Sequence, residues 1–356
     1  MKIAFDAKRA FFNNSGLGNY SRGVIESLST YYPNQEIHLF SPDGKNKISG
    51  DFSAKHPTHF FTGTLKNIKR IKSSAKLASS LGIDVFHGLS NEIPSGLKPK
   101  KIKAVVTIHD LIFLKLPQYY KNIDRKIYKA KTQYAIDNSD LIITTSKQTK
   151  TDIEELFGAG NKCKTIYQHV SQFNTSTAKP VRENNYLLYI SSFEQRKNHR
   201  TLFESFQKIT SQTDVNLICV GRPRETFHDL QALITKLNLG DRIKLISDAS
   251  SEQLHDYLSG CSGFIYPSLY EGFGIPLLEA MLHGVPCACS SIPVFKEIAA
   301  PGTLFFDPKS TIGISKAILE LSKNSMENRF INTAHLNKFS AHSHAKSLMD
   351  SYIELL

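Results

Sequence analysis

Short apolar runs alternate along the chain with longer stretches whose apolar residues recur at helical spacing. Runs of this kind, separated by helices, predict parallel sheets built from β-α-β units. The first series of predicted strands is Lys2–Phe5, Glu36–Phe40, Asp84–His87, Ala104–Ile108 and Leu141–Thr144. The second series is Tyr186–Ile190, Asn216–Val220, Ile243–Leu245, Gly263–Tyr266 and Pro286–Ser290.

The two series of strands are separated by a polar stretch that ends in proline, Gln172–Pro180, which is the best candidate for a linker. At 356 residues the chain is longer than a domain with a single hydrophobic core usually is, so two domains are expected. We therefore predict an α/β fold with doubly wound domains over residues 1–176 and 177–335. A cleft between them would bind ligands at the carboxyl ends of the strands.

Composition narrows the class of protein without selecting a function. A hydrophobic content of 40% and no apolar segment near the length of a membrane span describe an ordinary soluble globule. The strand-like start of the chain does not have the pattern of a signal peptide. Five cysteines without a Cys-x-x-Cys pair indicate reduced core residues in a cytoplasmic protein, not metal ligands or disulfides.

The segment Tyr270–Ala280 has the strongest functional pattern, with Glu271 and Glu279 on either side of a glycine loop and a predicted helix start at Pro276. Unpaired N–H groups at such a helix end bind anions or sugar hydroxyls. Each carboxylate can accept two hydroxyl hydrogen bonds. Taken singly, either glutamate is equally consistent with an ordinary loop or first-turn acid, whereas the combined segment predicts a binding site for a phosphorylated, polyhydroxylated ligand.

Together with Pro267-Ser268, this string resembles the motif of two glutamates separated by seven residues in the retaining GT-B glycosyltransferases of family four. The resemblance implies a GT-B fold whose C-terminal helix, within residues 336–356, packs back on the first domain. It implies that Glu279 binds the ribose of a nucleotide-sugar and that Glu271 holds the donor sugar. The other donor-binding residues implied in this segment are Gly272, Phe273, Gly274, Ile275 and Leu278.

A second glycine pattern, Gly16-Leu17-Gly18, follows the first strand and opens a predicted helix that extends to about Thr30. Backbone N–H groups at this junction indicate phosphate contact, although glycine would also be present if only the turn required it. Ser21 stands where a dinucleotide fingerprint has its third glycine, which disfavours NAD binding. The family resemblance implies that Gly16 and Gly18 face the donor phosphates and the acceptor.

Polar residues at two further strand ends are candidates for catalysis. His109 ends an apolar strand, where a histidine can hydrogen-bond a sugar or simply be a satisfied polar group. The resemblance implies that it lies close to the transferred sugar, whereas Asp110 and His87 are weaker candidates. Arg196 and Lys197 follow the first strand of the second domain. Taken singly, each is most simply a surface charge, whereas with Asn198 they resemble the Arg-Lys-Asn element of the family, which implies that they stabilise a departing diphosphate.

This chain departs from the family pattern at one position in the second domain. Many family members have an arginine where this chain has Ser192, and Arg196 is expected to substitute for it. Strand ends at Gly221 and Ser247 are expected to line the nucleotide-base pocket through main-chain contacts. The glycine loop and the Arg-Lys-Asn element resemble those of bacterial mannosyltransferases of surface-polysaccharide pathways, which favours GDP-mannose while UDP-linked sugars remain open. No Asp-x-Asp metal-binding pair occurs, which agrees with the metal independence that the resemblance implies. No other cofactor is expected.

The formal charge of +12 allows phosphorylated substrates, anionic lipid or nucleic acid as partners. A basic amphipathic stretch over residues 65–76 (Lys66, Lys69, Arg70, Lys72 and Lys76) either lies on an anionic membrane or packs on the sheet with solvated lysines. Related transferases reach lipid-linked acceptors through a basic N-terminal face, so peripheral membrane contact is favoured. The oligomeric state cannot be read from the sequence.

The preferred function is thus a retaining glycosyltransferase that moves a hexose to a hydroxyl of a glycan or lipid-linked glycan, with front-face transfer and no nucleophilic side chain. Alternatives on the same fold are a nucleotide-sugar epimerase and a phosphorylase. A basic nucleic-acid-binding protein is the alternative of another class, but the cations are spread through the chain and no binding motif is present.

Overall fold

The computed structural model describes residues 1–45, 47–170, 181, 185–323 and 329–356. The chain forms two compact units, Met1–Ser171 with Lys338–Leu356, and Gln172–Asn337. The predicted linker, Gln172–Pro180, lies outside the described residues. The predicted boundary at residues 176 and 177 therefore stays a prediction.

The N-terminal unit is built on a seven-stranded parallel sheet with the order β3-β2-β1-β4-β5-β6-β7. Its strands are β1 (Lys2–Asp6), β2 (Glu36–Pro42), β3 (Thr58–Phe61), β4 (Val85–Gly88), β5 (Lys103–Ile108), β6 (Leu141–Thr144) and β7 (Cys163–Thr165). Its first helices are α1 (Lys8–Phe12), α2 (Gly16–Tyr31), α3 (Asp51–Ala54), α4 (Lys66–Ser80), α5 (Ile112–Lys115), α6 (Asn122–Asn138) and α7 (Lys147–Phe157). The sequence pattern missed β3 and β7, and it missed α1 inside what was expected to be a long loop.

The C-terminal unit has a six-stranded parallel sheet with the order β10-β9-β8-β11-β12-β13. Its strands are β8 (Tyr186–Ile190), β9 (Asn216–Gly221), β10 (Ile243–Ser247), β11 (Gly263–Tyr266), β12 (Cys287–Ser290) and β13 (Leu304–Phe306). Its helices are α8 (His199–Gln207), α9 (Phe227–Lys236), α10 (Ser251–Gly260), α11 (Ile275–Leu282), α12 (Pro293–Ile298), α13 (Thr311–Ser322) and α14 (Thr333–Leu336). The predicted class, two doubly wound parallel α/β sheets, is confirmed.

In both sheets the strand order reverses beside the first strand of the unit, between β1 and β4 and between β8 and β11. Sheets of this kind bind ligands at the carboxyl ends of strands near that reversal. The central strands are apolar because both faces are covered, and all five residues of β8 are buried. The five cysteines are all buried and unbridged, as the sequence predicted for core residues.

The C-terminal helix, α15 (Ala341–Leu355), packs against α2 in the N-terminal unit, which confirms its predicted return to the first half of the chain. Leu348 and Met349 join the core that Val24 and Leu28 form. The buried hydroxyl of Tyr352 lies 2.6 Å from Nδ1 of His87. His87, a weak site candidate in the sequence, thus connects α15 to the sheet.

Candidate active site

Four predicted donor-site residues lie at one edge of the C-terminal sheet. Ser247 ends β10, Gly221 ends β9, Ser192 follows β8 and Glu271 follows β11, and these four strands are consecutive neighbours. This is the carboxyl edge of the sheet at its reversal of strand order, where doubly wound folds bind ligands.

The basic element Arg196-Lys197 forms a short 3₁₀ turn over Gln195–Lys197, and the next residue, Asn198, fixes its position. Asn198 adopts φ of 64°, a left-handed conformation that asparagine tolerates better than most residues. Its side-chain amide donates to the carbonyls of Pro267 at 3.0 Å and Pro308 at 2.8 Å. The sequence indicated the Arg-Lys-Asn element, but it did not show that the asparagine anchors the cations beside β11.

Ion pairs bring the predicted catalytic residues of this unit together. Lys197 Nζ lies 2.5 Å from Glu271 Oε1, and Arg196 Nη1 lies 3.5 Å from Glu271 Oε2. Glu194, which sequence reasoning missed, pairs with Arg196 at 2.9 Å and accepts the hydroxyl hydrogen of Ser192 at 2.8 Å. Through Glu194 the guanidinium of Arg196 is held close to Ser192, the position where an arginine was missing from the family pattern.

The charges of this cluster depend on one another. Burial raises the pKa of Glu271, but the neighbouring charges of Lys197 and Arg196 outweigh it, so the pKa lies below its ordinary value. Burial lowers the pKa of Lys197, Arg196 adds to that effect, and Glu271 opposes it. Glu271 is therefore an anion at neutral pH because two cations hold it.

The glycine loop ends at Gly274, which is the N-cap of α11 and has φ of 124°. A Cβ atom there would lie 2.8 Å from the ring of Phe295, so glycine is required by both conformation and space. Pro276 is the second residue of α11, not the first as predicted, and it has no N–H. Among the described residues, no hydrogen-bond partner is found for the N–H groups of Gly274 and Ile275, as expected for an anion-binding helix end.

The remaining residues of the predicted donor segment are more enclosed than expected. Gly272 and Phe273 are buried and already have interaction partners. Leu278 has 0% of its surface exposed because it packs in the core, so it offers no side-chain contact to a donor in this conformation. Within residues 271–280, the partly exposed side chains are those of Ile275, Pro276 and Glu279, and donor binding by this segment stays a prediction.

Glu279 lies on α11 and differs from Glu271 in its surroundings. It is partly buried, and in the described parts of the chain no side chain hydrogen-bonds its carboxylate. Burial raises the pKa of Glu279 to about 7, with no cation to oppose it. This carboxyl group titrates near neutral pH, which the sequence did not indicate.

Gly221 and Ser247 lie opposite each other on neighbouring strands. A Cβ at Gly221 would lie 1.7 Å from the carbonyl oxygen of Ser191, so the glycine allows the ends of β8 and β9 to approach. Ser247 is exposed at the end of β10. Neither position has a feature that identifies a nucleotide base.

In the N-terminal unit the two predicted glycines differ. The N–H of Gly18 donates to the Ser15 carbonyl at 2.9 Å and to Asn13 Oδ1 at 3.2 Å, so it is occupied. A Cβ at Gly18 would lie 1.7 Å from the Asn13 carbonyl oxygen, which explains this glycine by packing. Gly16 has no neighbour within 4 Å of a Cβ position. The N–H of Gly18 is therefore already occupied, whereas the described residues supply no partner for the first N–H groups of α2, at Gly16 and Leu17. Phosphate contact at this loop stays a prediction.

His109 is buried at the end of β5 with both ring nitrogens engaged. Its Nε2 lies 2.9 Å from the Leu89 carbonyl, which can only accept, so Nε2 has the hydrogen. Nδ1 accepts from the amide of Gln168 at 3.3 Å. Burial lowers the pKa of His109 to about 4, partly opposed by the Leu89 bond, so the ring is neutral near pH 7.

Two protein-family models match adjoining segments of the chain. Residues 23–171 match the model described as Glycosyltransferase Family 4, and residues 172–336 match the model described as Glycosyl transferases group 1. The chain belongs to the family-four glycosyltransferases of the GT-B fold. The family that the paired glutamates predicted is thus confirmed.

This glycosyltransferase is 26% identical over 351 residues to O-antigen chain mannosyltransferase B of Escherichia coli, with 90% of both chains covered. It is 27% identical over 221 residues to O-antigen chain mannosyltransferase RfbU of Salmonella typhimurium, with 61% of this chain and 60% of the relative covered.

Solved structures share the fold. Sucrose-phosphate synthase from Thermosynechococcus elongatus matches with a TM-score of 0.78 at 19% identity, covering 100% of this chain and 99% of the other. Anabaena HepE in complex with UDP and glucose matches with a TM-score of 0.72 at 17% identity, covering 99% and 100%. At these identities the likeness describes the fold alone.

The basic surface of the glycosyltransferase differs from the predicted one at Arg70. This residue is only 2% exposed, because its guanidinium faces inward and pairs with Asp6 and, at 2.6 Å, with Glu92. It anchors α4 to the end of β1 and is not a surface cation, so the prediction for Arg70 is wrong. Across the described ranges, no helix has the length and apolar character needed to cross a bilayer.

Exposed apolar side chains accompany the remaining cations near the N-terminal ends of α4 and α6. They are Leu65, Ile68, Ile123, Ile127 and Tyr128. The exposed lysines interspersed with them are Lys69, Lys72, Lys126 and Lys129. A surface that combines cations with exposed apolar groups is typical of contact with an anionic bilayer.

Proposed function

We propose that this glycosyltransferase is a retaining mannosyltransferase that transfers mannose from GDP-mannose to a hydroxyl of a glycan or lipid-linked glycan. The observation that carries the proposal is the buried cluster of Lys197, Arg196 and Glu271 at the reversal point of the C-terminal sheet. The choice of mannose is supported by two relatives named as O-antigen chain mannosyltransferases.

The two cations of the cluster would act on the leaving group of the reaction. When the bond between the anomeric carbon and the diphosphate breaks, negative charge develops on the leaving oxygen, and Lys197 and Arg196 would stabilise it. In front-face transfer the acceptor oxygen bonds to the anomeric carbon from the same side. The hydroxyl proton passes to the departing diphosphate, so neither a nucleophilic side chain nor a metal ion is needed.

The other site residues are assigned to binding. Glu271 and the N–H groups of Gly274 and Ile275 would hold the donor sugar and phosphates, and Glu279 would accept hydrogen bonds from the ribose hydroxyls. His109 would use Nδ1 to accept a sugar hydroxyl in place of the long bond from Gln168. Nε2 would keep its bond to Leu89 throughout.

The exposed surface at the starts of α4 and α6 supports an anionic membrane as a partner. We propose that the exposed apolar and basic groups at the starts of α4 and α6 rest on the cytoplasmic face of an anionic membrane that contains the acceptor. Binding to phosphatidylglycerol vesicles that weakens with salt would support this contact. Equal binding to neutral vesicles would contradict the electrostatic part of the proposal.

The test is a panel of nucleotide-sugars with lipid-linked glycan acceptors, read as nucleoside diphosphate release and product formation, with and without EDTA. We expect GDP release from GDP-mannose that depends on the acceptor, is insensitive to EDTA, and forms an α-mannoside by NMR. Turnover with UDP-sugars alone would overturn the donor assignment. A β-linked product would overturn retention, and epimerised or hydrolysed donor without acceptor would overturn transfer.

A further inference from the structure

His109 is held by its backbone, by hydrogen bonds of its ring and by a contact with another ring. The backbone N–H donates to Asn91 at 3.2 Å, and the backbone carbonyl accepts from the hydroxyl of Thr145 at 3.0 Å. The imidazole donates from Nε2 to the Leu89 carbonyl at 2.9 Å and accepts at Nδ1 from Gln168 at 3.3 Å. Under the proposed function a sugar hydroxyl replaces Gln168 at Nδ1, so the imidazole then keeps one of its two hydrogen bonds to the protein.

The ring that contacts His109 belongs to Tyr20, which lies on α2. The two rings meet edge to face, with centroids 4.6 Å apart and planes at 90°. This contact does not depend on the hydrogen bond at Nδ1, and it restricts the rotation of the imidazole. Only 5% of the surface of Tyr20 is exposed, so Tyr20 is screened from a substrate in this conformation and acts on His109 instead.

Tyr20 is itself held by a buried series of hydrogen bonds. Its hydroxyl lies 2.9 Å from Oγ1 of Thr107, and the same Oγ1 lies 2.8 Å from Nε2 of His87. Nδ1 of His87 lies 2.6 Å from the hydroxyl of Tyr352. All four side chains are buried, so each of these polar atoms depends on its partner in the series. The series connects β5, two residues before His109, with β4 and α15.

A second residue of α15 contacts the ring of Tyr20 directly. His344 meets it edge to face, with centroids 5.8 Å apart and planes at 88°. Nδ1 of His344 donates to the carbonyl of Tyr167 at 2.6 Å, one residue before Gln168. His344 and Tyr352 are eight residues apart and both buried, so they lie on the same side of α15. Helix α15 therefore contacts both α2 and the segment that follows β7.

We propose that Tyr20 is a positioning residue, which keeps the His109 ring oriented once a sugar hydroxyl has taken the place of the Gln168 amide. The hydroxyl of Tyr352 anchors Tyr20 from α15, so the C-terminal helix affects the reaction without touching the substrate. This inference rests on the role of His109 in the proposed function.

The first test observes the ring of His109 without any reaction. Gln168→Ala removes the bond that the sugar would replace, and Tyr20→Leu removes the ring contact. Nitrogen-15 NMR should show hydrogen on Nε2 alone in each single variant and both tautomers in the double variant, because a ring that turns away from Leu89 loses the bond that selects Nε2–H. Gln168→Ala combined with Tyr31→Leu, an exposed position of α2, is the matched control and should keep one tautomer. A folded Tyr20 double variant with one tautomer would overturn the proposal.

The second test uses variants that delete one hydroxyl of the buried series and keep the ring, Tyr20→Phe and Tyr352→Phe. We expect each to lower kcat about two- to tenfold, the effect of one lost hydrogen bond, and to change the donor KM less than about twofold. Tyr31→Phe should change neither value. Urea unfolding confirms that each variant is folded under the assay conditions. An unchanged kcat in both variants, or a raised donor KM alone, would contradict the positioning role.

The two tests distinguish failure of this inference from failure of the proposed function. If the wild-type protein transfers no sugar from any donor, the proposed function fails, whereas the NMR result still decides whether Tyr20 orients the His109 ring. If sugar is transferred and the Tyr20 double variant keeps one tautomer, or the hydroxyl deletions leave kcat unchanged, the positioning role alone fails.

Discussion

The polar groups at the two sheet edges are in different electrostatic states. In the C-terminal unit, Glu271 lies 2.5 Å from Lys197 and 3.5 Å from Arg196, so charges of both signs are concentrated there. In the N-terminal unit, His109 is buried as a neutral ring bonded to the carbonyl of Leu89. Under the proposed function, fixed charge belongs beside a departing diphosphate, whereas a neutral hydrogen-bonding group is sufficient beside a sugar hydroxyl.

Comparison of Glu271 with Glu279 shows what keeps a buried carboxylate ionised. A buried carboxylate without a cation has a raised pKa, as Glu279 shows, whereas the pKa of Glu271 is lowered by its two cations. Glu271 is the more buried of the two, so burial alone would give the opposite order of pKa values. The nearby 3₁₀ turn, anchored by Asn198, makes Glu271 an anion.

Of the variants that test this difference between the two sheet edges, removal of the Lys197 cation is expected to have the largest effect on activity. Lys197→Met should lower kcat/KM by about 10²- to 10³-fold, the loss that follows removal of one preorganised group that stabilises developing charge. It should also reduce the free energy of unfolding by roughly 1–3 kcal/mol, because Glu271 loses its nearer partner and keeps Arg196. Steady-state kinetics and urea unfolding measure the two effects.

Two further variants separate chemistry from folding. Lys236→Met removes an exposed lysine of α9 and should leave activity and stability unchanged. The double variant Lys197→Met, Glu271→Gln removes the unpaired charge and should recover part of the stability without recovering the rate. Recovery of the rate in the double variant would show that Lys197 serves only to neutralise Glu271.

The sequence predicted this cluster only in part, for identifiable reasons. Glu271, Arg196 and Lys197 were recognisable because they belong to short motifs next to strand ends. Glu194 and Asn198 were missed as functional residues because their roles depend on contacts with Arg196 and with the carbonyls of Pro267 and Pro308. The latter contacts connect segments far apart in sequence, which a pattern of neighbouring residues cannot reveal.

The fold was easier to predict than the environment of individual side chains. Buried parallel strands are apolar runs, so nearly all central strands were found. The cation Arg70 looked like its neighbouring lysines, and only tertiary structure shows that it faces Asp6 and Glu92. Similarly, the two glycines of the N-terminal loop look equivalent in sequence, yet the N–H of Gly18 is already hydrogen-bonded.

Glu279 provides the next test, because its pKa is raised by burial and, unlike that of Glu271, is not lowered by a neighbouring cation. Ribose hydroxyls donate to a carboxylate, so donor binding should favour the ionised form. With a pKa of about 7, ionisation rises as pH increases from 6 to 8, and the donor KM should fall about tenfold over that range. Calorimetry with GDP at pH 7 should detect proton release on binding.

The Glu279→Gln variant should remove this pH dependence and raise the donor KM about tenfold or more at pH 8. Its stability should also change in a defined direction. The pKa of Glu279 is higher in the folded chain than its ordinary value of 4.5, so its contribution to stability is lost as pH rises from 4.5 through about 7. Glu252→Gln, at an exposed position of α10, is the control and should change neither property. A pH-dependent donor KM in Glu279→Gln would refute the assignment.

The smallest expected effect concerns His109, whose charge should not change at all near neutral pH. With a pKa of about 4, lowered mainly by burial, the ring should stay neutral from pH 6 to 8, with hydrogen on Nε2 and none on Nδ1. Nitrogen-15 NMR of the ring reads this directly, and a midpoint above pH 6 would contradict the contrast between the two sheet edges. Because the unfolded chain takes up the proton near pH 6.5, stability should fall as pH decreases from 6.5 toward 4. Acid should therefore weaken the N-terminal unit through His109 over the same range in which protonation of Glu279 favours the folded C-terminal unit.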